Sequence, residues 1–398
     1  MTSTSTARGD AARLFAIIVL AIAGYGAYLG LPVILGALAR ASVLTESQLG
    51  WIASVELLAL MVGSLAVSRV LHQRSIKLVL PAIILALGAN LLTGLAHGAP
   101  SLFALRALAG FAGGACYAVA LARLSAFGDP TKNASWFTAG VILGGSVLLV
   151  VLPAADARFG LTGVFCTLGL SFLLAAGLAV FLPDALPVEV EAEASILPHA
   201  QATRLGWLMM VGVFLYNVGF TSFWAYAERL GQTAQVPHEQ IGAALSVSNL
   251  ISAFFCGAGY VVGRRWGLFK PQILMMALVG LIFATWSTQD GAVGFWIRTV
   301  VYFQCLAVAV VLQLSLVSSI DRSGRFGALL PAAQGLGQAI GPAIGGYMLG
   351  LGHGYRPKLI GEGAMLLLTA GIAFAVYLLV KRYDPDMARG AASPVASS

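Results

Sequence analysis

Charge is what this sequence has least of. Only 10% of its 398 residues are Asp, Glu, Lys or Arg, and 59% are hydrophobic. A soluble domain carries about 25% charged residues. A chain this apolar could not cover its own surface in water, which excludes a cytosolic enzyme, and it holds far too much apolar material for disorder. Cysteine is scarce: Cys116, Cys166, Cys256 and Cys305 all lie inside apolar segments, with neither a disulfide framework nor metal-ligand spacing. His72, His97, His199, His238 and His353 fall in loops or at the ends of apolar runs, so no histidine relay within a membrane is expected. There is no G-x-x-x-x-G-K-[ST] loop for direct ATP drive and no H-E-x-x-H. Paired intramembrane aspartates are absent too. No catalytic residue, cofactor or metal is therefore expected.

What the sequence does have is long apolar runs. At about 20 residues per spanning helix, the length allows roughly twelve spans. Charges, Gly and Pro bound them near 13–38, 48–70, 78–96, 101–124, 134–156, 158–182, 205–230, 239–262, 271–288, 292–318, 327–350 and 359–380. The first run follows Arg8 and Arg13 as in a secretory signal. It continues to Leu38, beyond an h-region of about 7–15 residues, and reads as an uncleaved span. An even count puts both termini on one side. With the termini inside, sixteen of the 23 basic residues fall in inner segments and five (Arg40, Arg158, Arg229, Arg356, Lys358) in outer ones. That bias makes the termini cytoplasmic. The net charge of +7 forms no stripe, so nucleic acid is not an expected partner. One long connection, with Pro183, Pro187, Pro198 and an acidic run at Glu189, Glu191 and Glu193, reads as a solvated linker. The expected divisions are 1–182, a linker 183–204, and 205–398, each flank with six spans.

The two halves echo each other. Gln48-Leu-Gly50 with Ser54-Val55 recurs as Gln240-Ile-Gly242 with Ser246-Val247, an offset of 192. Phe103-Ala-Leu-Arg106 falls on Phe295-Trp-Ile-Arg298 at the same offset. A parallel six-helix repeat is a transporter design.

The fourth span carries Arg106-Ala-Leu-Ala-Gly110-Phe-Ala-Gly113-Gly114. With six plus six spans and cytoplasmic ends, the chain resembles the major facilitator superfamily, whose arginine-then-glycine motif this run matches. After the second span that family has G-x-L-a-D-R-x-G-R-K. Here Gly63-Ser-Leu65-Ala66-Val67-Ser68-Arg69 keeps the start and has Val67 for the aspartate, with Arg74 and Lys77 following. The equivalent loop in the second half, Gly263-Arg264-Arg265-Trp266-Gly267 to Lys270, is basic but again lacks the acid. Antiporters of the family often carry gxxxGPxxGG in the fifth span. That span has Gly140 and Gly144 without the proline, while Gly337-Gln-Ala-Ile-Gly341-Pro342-Ala-Ile-Gly345-Gly346 stands in the eleventh. Small residues at fourth positions let helices approach closely, and Pro342 can kink. Gly110, Gly114, Gly140, Gly144, Gly341, Pro342 and Gly345 are thus expected to serve packing or conformational change.

Charges in hydrocarbon cost at least about 2.5–3.5 kcal/mol at mid-span, so Glu56, Arg106 and Arg298 each need a reason. Arg106 either snorkels to the interface or binds an anionic substrate group or a carboxylate; the resemblance sets its span beside a central cavity. Arg298 lies at the matching depth. Glu56, on the second span at a similar depth, is a candidate for proton coupling: paired with Arg106 when ionised, releasing it when protonated. The alternative is a structural ion pair. Tyr25 and Tyr28 share a helix face, and Tyr216, Asn217, Phe220 and Trp224 form a stripe. Such aromatics also serve as core or interfacial belts, and buried amides as interhelical glue. Tyr28, Asn217 and Gln304 are the expected substrate contacts beside the arginines.

The expected fold is therefore all-α, two six-helix bundles related by a pseudo-two-fold axis. The expected function is secondary transport of a small organic solute, an organic anion, across the cytoplasmic (inner) membrane, as a proton symporter and a monomer in the lipid bilayer. Proton-driven efflux of amphiphilic compounds is the alternative reading, and a polytopic membrane enzyme a remote one, since the acids are scattered.

Overall fold

The structure is a computed structural model describing residues 2–41, 44–71, 73–96, 98–124, 126–127, 130–184, 199–320 and 325–383. Among them no strand occurs. The helices are α1 (Thr2–Leu29), α2 (Leu31–Ala41), α3 (Glu46–Ser68), α4 (Ser75–Thr93), α5 (Ala99–Arg123) and α6 (Pro130–Leu178). They continue as α7 (His199–Thr233), α8 (His238–Trp266), α9 (Phe269–Thr285), α10 (Gly291–Ile320), α11 (Arg325–Gly350) and α12 (Tyr355–Tyr383). Apolar side chains such as Ile84, Leu92, Leu174 and Phe254 stand more than half exposed along them, a surface for lipid rather than water.

Helices and expected spans differ in two places. The first span is broken, because Pro32 has no N–H for the Tyr28 carbonyl and its ring crowds that oxygen. The helix therefore ends at Leu29 and restarts at Leu31. The fifth and sixth spans instead run together as the 49-residue α6, turned at Gly160, whose φ of 60° and ψ of −154° disfavour any side chain.

The chain divides into two compact units. Unit 1 comprises Met1–Val190 with Trp224–Arg229 and His238–Ser246; unit 2 comprises Glu191–Phe223, Leu230–Pro237 and Val247–Ser398. Most of the expected linker, 185–198 with its acidic run, lies outside the described residues.

In unit 1, α5 packs against α1, α3 and α4. Lipid gives helices no hydrophobic reason to associate, so close packing must hold them. The glycine motif supplies it. A Cβ at Gly110 would overlap the Glu56 carbonyl, one at Gly114 the Leu60 carbonyl, and one at Gly113 the Gly24 carbonyl. Ile17, Leu20, Val79, Cys116 and Phe172 fill the core beside them. In unit 2, α12 meets α9 where Gly363 and Gly280 abut, and α11 lays Gly337 and Gly341 on the α7 backbone at Phe214 and Val218.

Candidate functional site

Arg106 is the eighth residue of α5, about 10 Å into the helix at 1.5 Å per residue. It is fully buried within unit 1, so it does not snorkel. Nη1 donates to Glu56 Oε1 at 3.0 Å. Nη2 donates to Asn90 Oδ1 at 3.0 Å and Thr93 Oγ1 at 2.7 Å, and the guanidinium lies 4.4 Å above the Phe165 ring. The acceptors are held in place: Asn90 Nδ2 donates to Ala86 O at 2.8 Å and Thr93 Oγ1 to Ala89 O at 2.6 Å. Nε is buried without a hydrogen-bond partner. Glu56 is equally enclosed, at 2% exposure. A cavity of about 10 Å³ adjoins Glu56 and Asn90 and is walled by Ala23, Gly24, Ala27 and Leu168; it has room for about one water. The arrangement stores a permanent cation and a neutralisable acid together, out of solvent.

Arg298 repeats part of this pattern in unit 2. Nη1 donates to Thr285 Oγ1 at 3.1 Å and to Ile282 O at 3.4 Å. Residues 282, 285 and 298 lie 192 beyond Asn90, Thr93 and Arg106, so the repeat reaches the hydrogen bonds. The acid does not repeat. Position 248, the counterpart of Glu56, is a serine, fully buried with its hydroxyl unpartnered. Arg298 instead pairs through Nε with Asp290 at 2.7 Å, the two side chains being 25% and 27% exposed.

The other expected contacts lie within one unit each. Tyr28 stacks on Tyr25, which stacks on Tyr117, both at 4.5 Å between centroids. Asn217 donates to Val213 O at 2.8 Å and accepts from Gln338 Nε2 at 3.3 Å. Gln304 Nε2 donates to Ser248 O and Val300 O, both at 3.1 Å, and its Oε1 is buried without a partner. Gly140 and Gly144 face Ile18 and Ile22 of α1. Pro342 and Gly345 are buried in an unbroken α11.

Three charged groupings escaped the sequence reading. Arg123, fully buried, ties down the loop after α3: Nη2 donates to Leu71 O at 2.6 Å and Gln73 O at 2.9 Å, Nε to Ser75 Oγ at 3.0 Å. Asp184 accepts from Ser75 N at 2.7 Å. In unit 1, Arg40 pairs with Asp156 at 2.6 Å and with buried Glu228 at 2.7 Å, His238 lies 3.7 Å from Glu228, and Glu46 pairs with Arg229. Burial works against the Arg40 cation, but Glu228 and Asp156 outweigh it and hold its pKa above the ordinary value. In unit 2, Lys358 is no loop residue; it is buried in α12 against Glu362. Pairs four apart in a helix are legible in principle, but Lys358 reads as a loop cation when the span is started at 359.

A family model described as Major Facilitator Superfamily matches residues 14–320. No curated protein matches the chain. Among solved structures the chain is similar to a bacterial homolog of the human lysosomal transporter Spinster, in an inward-facing and unoccupied conformation. That likeness has 12% identity, 92% of this chain and 97% of that one covered, and a TM-score of 0.68. It is similar also to the xylose transporter XylE from E. coli, partially occluded and inward open, at 15% identity, 94% and 100% coverage and a TM-score of 0.68. At these identities the likeness is one of fold.

Proposed function

We propose that this chain, which belongs to the Major Facilitator Superfamily, carries a small organic anion together with protons across the cytoplasmic membrane. The chain is a membrane transporter and not an enzyme. On our reading it works by alternating access as a monomer, with bundles 1–182 and 205–398, a linker 183–204 and both termini in the cytoplasm.

The observation that carries the reading is the buried Glu56–Arg106 pair beside a water-sized cavity. When the solute is absent, Glu56 neutralises Arg106. A proton on Glu56 removes that neutralisation, and the uncovered guanidinium is answered by the anionic group of the solute. Proton and anion then load together, because either alone leaves a net charge in a medium where it costs several kcal/mol. Arg298, Tyr28, Asn217 and Gln304 are the further solute contacts in this reading.

The test is uptake of labelled mono- and dicarboxylates into proteoliposomes under an imposed pH gradient. Uptake is expected to follow acidification outside. In Glu56→Gln it should lose that dependence, and in Arg106→Ala it should fall. Unchanged uptake in both Arg106→Ala and Arg298→Ala would remove the anion site. Proton-driven release of a fluorescent amphiphile, with no carboxylate uptake, would replace symport by efflux.

A further inference from the structure

Unit 2 holds a second enclosed acid. Glu362 is the eighth residue of α12, as Arg106 is of α5, and Lys358 precedes it by one turn on the same face. Both are 1% exposed. Lys358 Nζ donates to Glu362 Oε1 at 2.5 Å, and Ser222 Oγ, fully buried on α7, donates to the same oxygen at 2.5 Å. The other oxygen, Oε2, is buried with no hydrogen-bond partner. Close packing fixes this placement: Gly363 abuts Gly280 of α9, and a Cβ at Gly219 of α7 would sit 3.4 Å from the Glu362 carbonyl. Around the carboxyl, Lys358 is the facing charge from α12 and Ser222 the polar group from α7. Past Lys270, at its other end, α9 carries no ionisable side chain.

A carboxylate in this setting is unevenly satisfied. One oxygen takes both donors, while the other has no hydrogen-bond partner among the described residues. A buried acceptor left open in this way calls for an explanation. Ionisable side chains inside membrane spans are rare and mark ion pathways and proton relays.

We infer that Glu362 is a second proton-binding carboxyl of the transporter, taking a proton at Oε2. The O–H bond forms on Oε2, Oε1 remains the acceptor for Lys358 and Ser222, and Lys358 keeps its own proton. The cluster passes from neutral to a single positive charge, the same change that protonation of Glu56 brings to its pair with Arg106. Each unit then contains an enclosed basic side chain paired with a protonatable acid, Arg106 with Glu56 and Lys358 with Glu362, although the two pairs occupy unrelated positions in the repeat. The inference is independent of the role given to Glu56.

The test is infrared difference spectroscopy, acid minus neutral, on the full chain in liposomes, reading the C=O stretch of carboxylic acids shielded from water. Wild type is expected to show a shielded component that Glu362→Gln removes and Glu56→Gln leaves. Ser222→Ala should move its frequency without abolishing it, since Oε1 loses a donor. Should Glu362→Gln fold poorly, Lys358→Met with Glu362→Gln removes both charges at similar volume and must lose the same component. Spectra of Glu362→Gln and the double variant that superpose on wild type overturn the inference and leave a permanently ionised structural pair. Loss of the Glu362 component with no Glu56 component keeps it and removes the coupling role of Glu56.

Discussion

The indole Nε1 of Trp224 donates to the main-chain carbonyl of Tyr28 at 2.8 Å, and that carbonyl is the one Pro32 leaves open. A proline inside a helix both removes a donor and crowds the oxygen four residues back. The indole supplies the missing donor from another helix, so the break between α1 and α2 becomes a joint within unit 1. Trp224→Phe deletes the donor and leaves a smaller aromatic ring in its place. It should cost about 1–3 kcal/mol, the range for a buried polar group left unpaired, read as a lower unfolding midpoint of the purified protein. Pro32→Ala in the Trp224→Phe background restores a local donor and should recover part of the loss. An unchanged midpoint in Trp224→Phe would show that the bond contributes nothing.

The glycine motif gives a sharper contrast, because space can be compared position by position. A Cβ at Gly110 or Gly114 would run into α3 main chain, whereas one at Gly88 of α4 meets nothing within 4 Å. Backbone cannot step aside as a flexible side chain can. Gly110→Ala and Gly114→Ala should therefore destabilise by at least the about 1–3 kcal/mol typical of overpacking. Gly88→Ala should be neutral or stabilising by up to about 1 kcal/mol. Yield and thermal midpoint of the three variants, measured side by side, decide it.

The all-α class and most span positions were readable because hydrocarbon enforces them: apolar runs of fixed length leave few alternatives. What the sequence hid was hydrogen-bond partnership. Arg106 and Arg298 read as equivalents, and their threonine bonds are equivalent; yet one is sealed and the other a quarter exposed. The difference goes with an acid at 56 and a serine at 248, a single-residue departure that the repeat signal averages away. Lys358 was lost for another reason. A span is delimited by its charges, so a charge buried one turn inside a helix pulls the boundary past itself. Pro32 was visible, but the hydropathy on either side of it does not change, so the first span read as one.

Those two environments imply unequal costs. Arg106→Ala strands Glu56 as a charge without its partner in the core of unit 1, which costs about 3–5 kcal/mol for a buried pair broken on one side. Arg298→Ala breaks a partly exposed pair, worth about 1 kcal/mol or less. Replacing both members, Arg106→Met with Glu56→Gln, removes the stranded charge and should restore most of the stability while leaving pH-driven uptake lost. Denaturation of the four proteins in one detergent separates folding from transport. Equal losses in the two arginine variants would contradict the burial seen here.

The loop after α3 offers a prediction that needs no substrate. Arg123 holds it through the Leu71 and Gln73 carbonyls and Ser75 Oγ. These acceptors match the fixed fork of a guanidinium, which the single ammonium of Lys cannot span in the same geometry. Arg123→Ala should therefore free the segment that contains Arg69 and Arg74, and Arg123→Lys should rescue it poorly. A hydrogen bond to a charged group is worth about 1.5–3 kcal/mol, and each 1.4 kcal/mol is about a factor of ten in an opening equilibrium. Tryptic cleavage after Arg69 and Arg74, followed by mass spectrometry, should then accelerate at least about tenfold in Arg123→Ala. Asp184→Asn removes the charge but keeps an oxygen for Ser75 N, so its effect should be smaller. Equal cleavage rates in wild type and Arg123→Ala would mean that the loop is held by its own turns and not by the arginine.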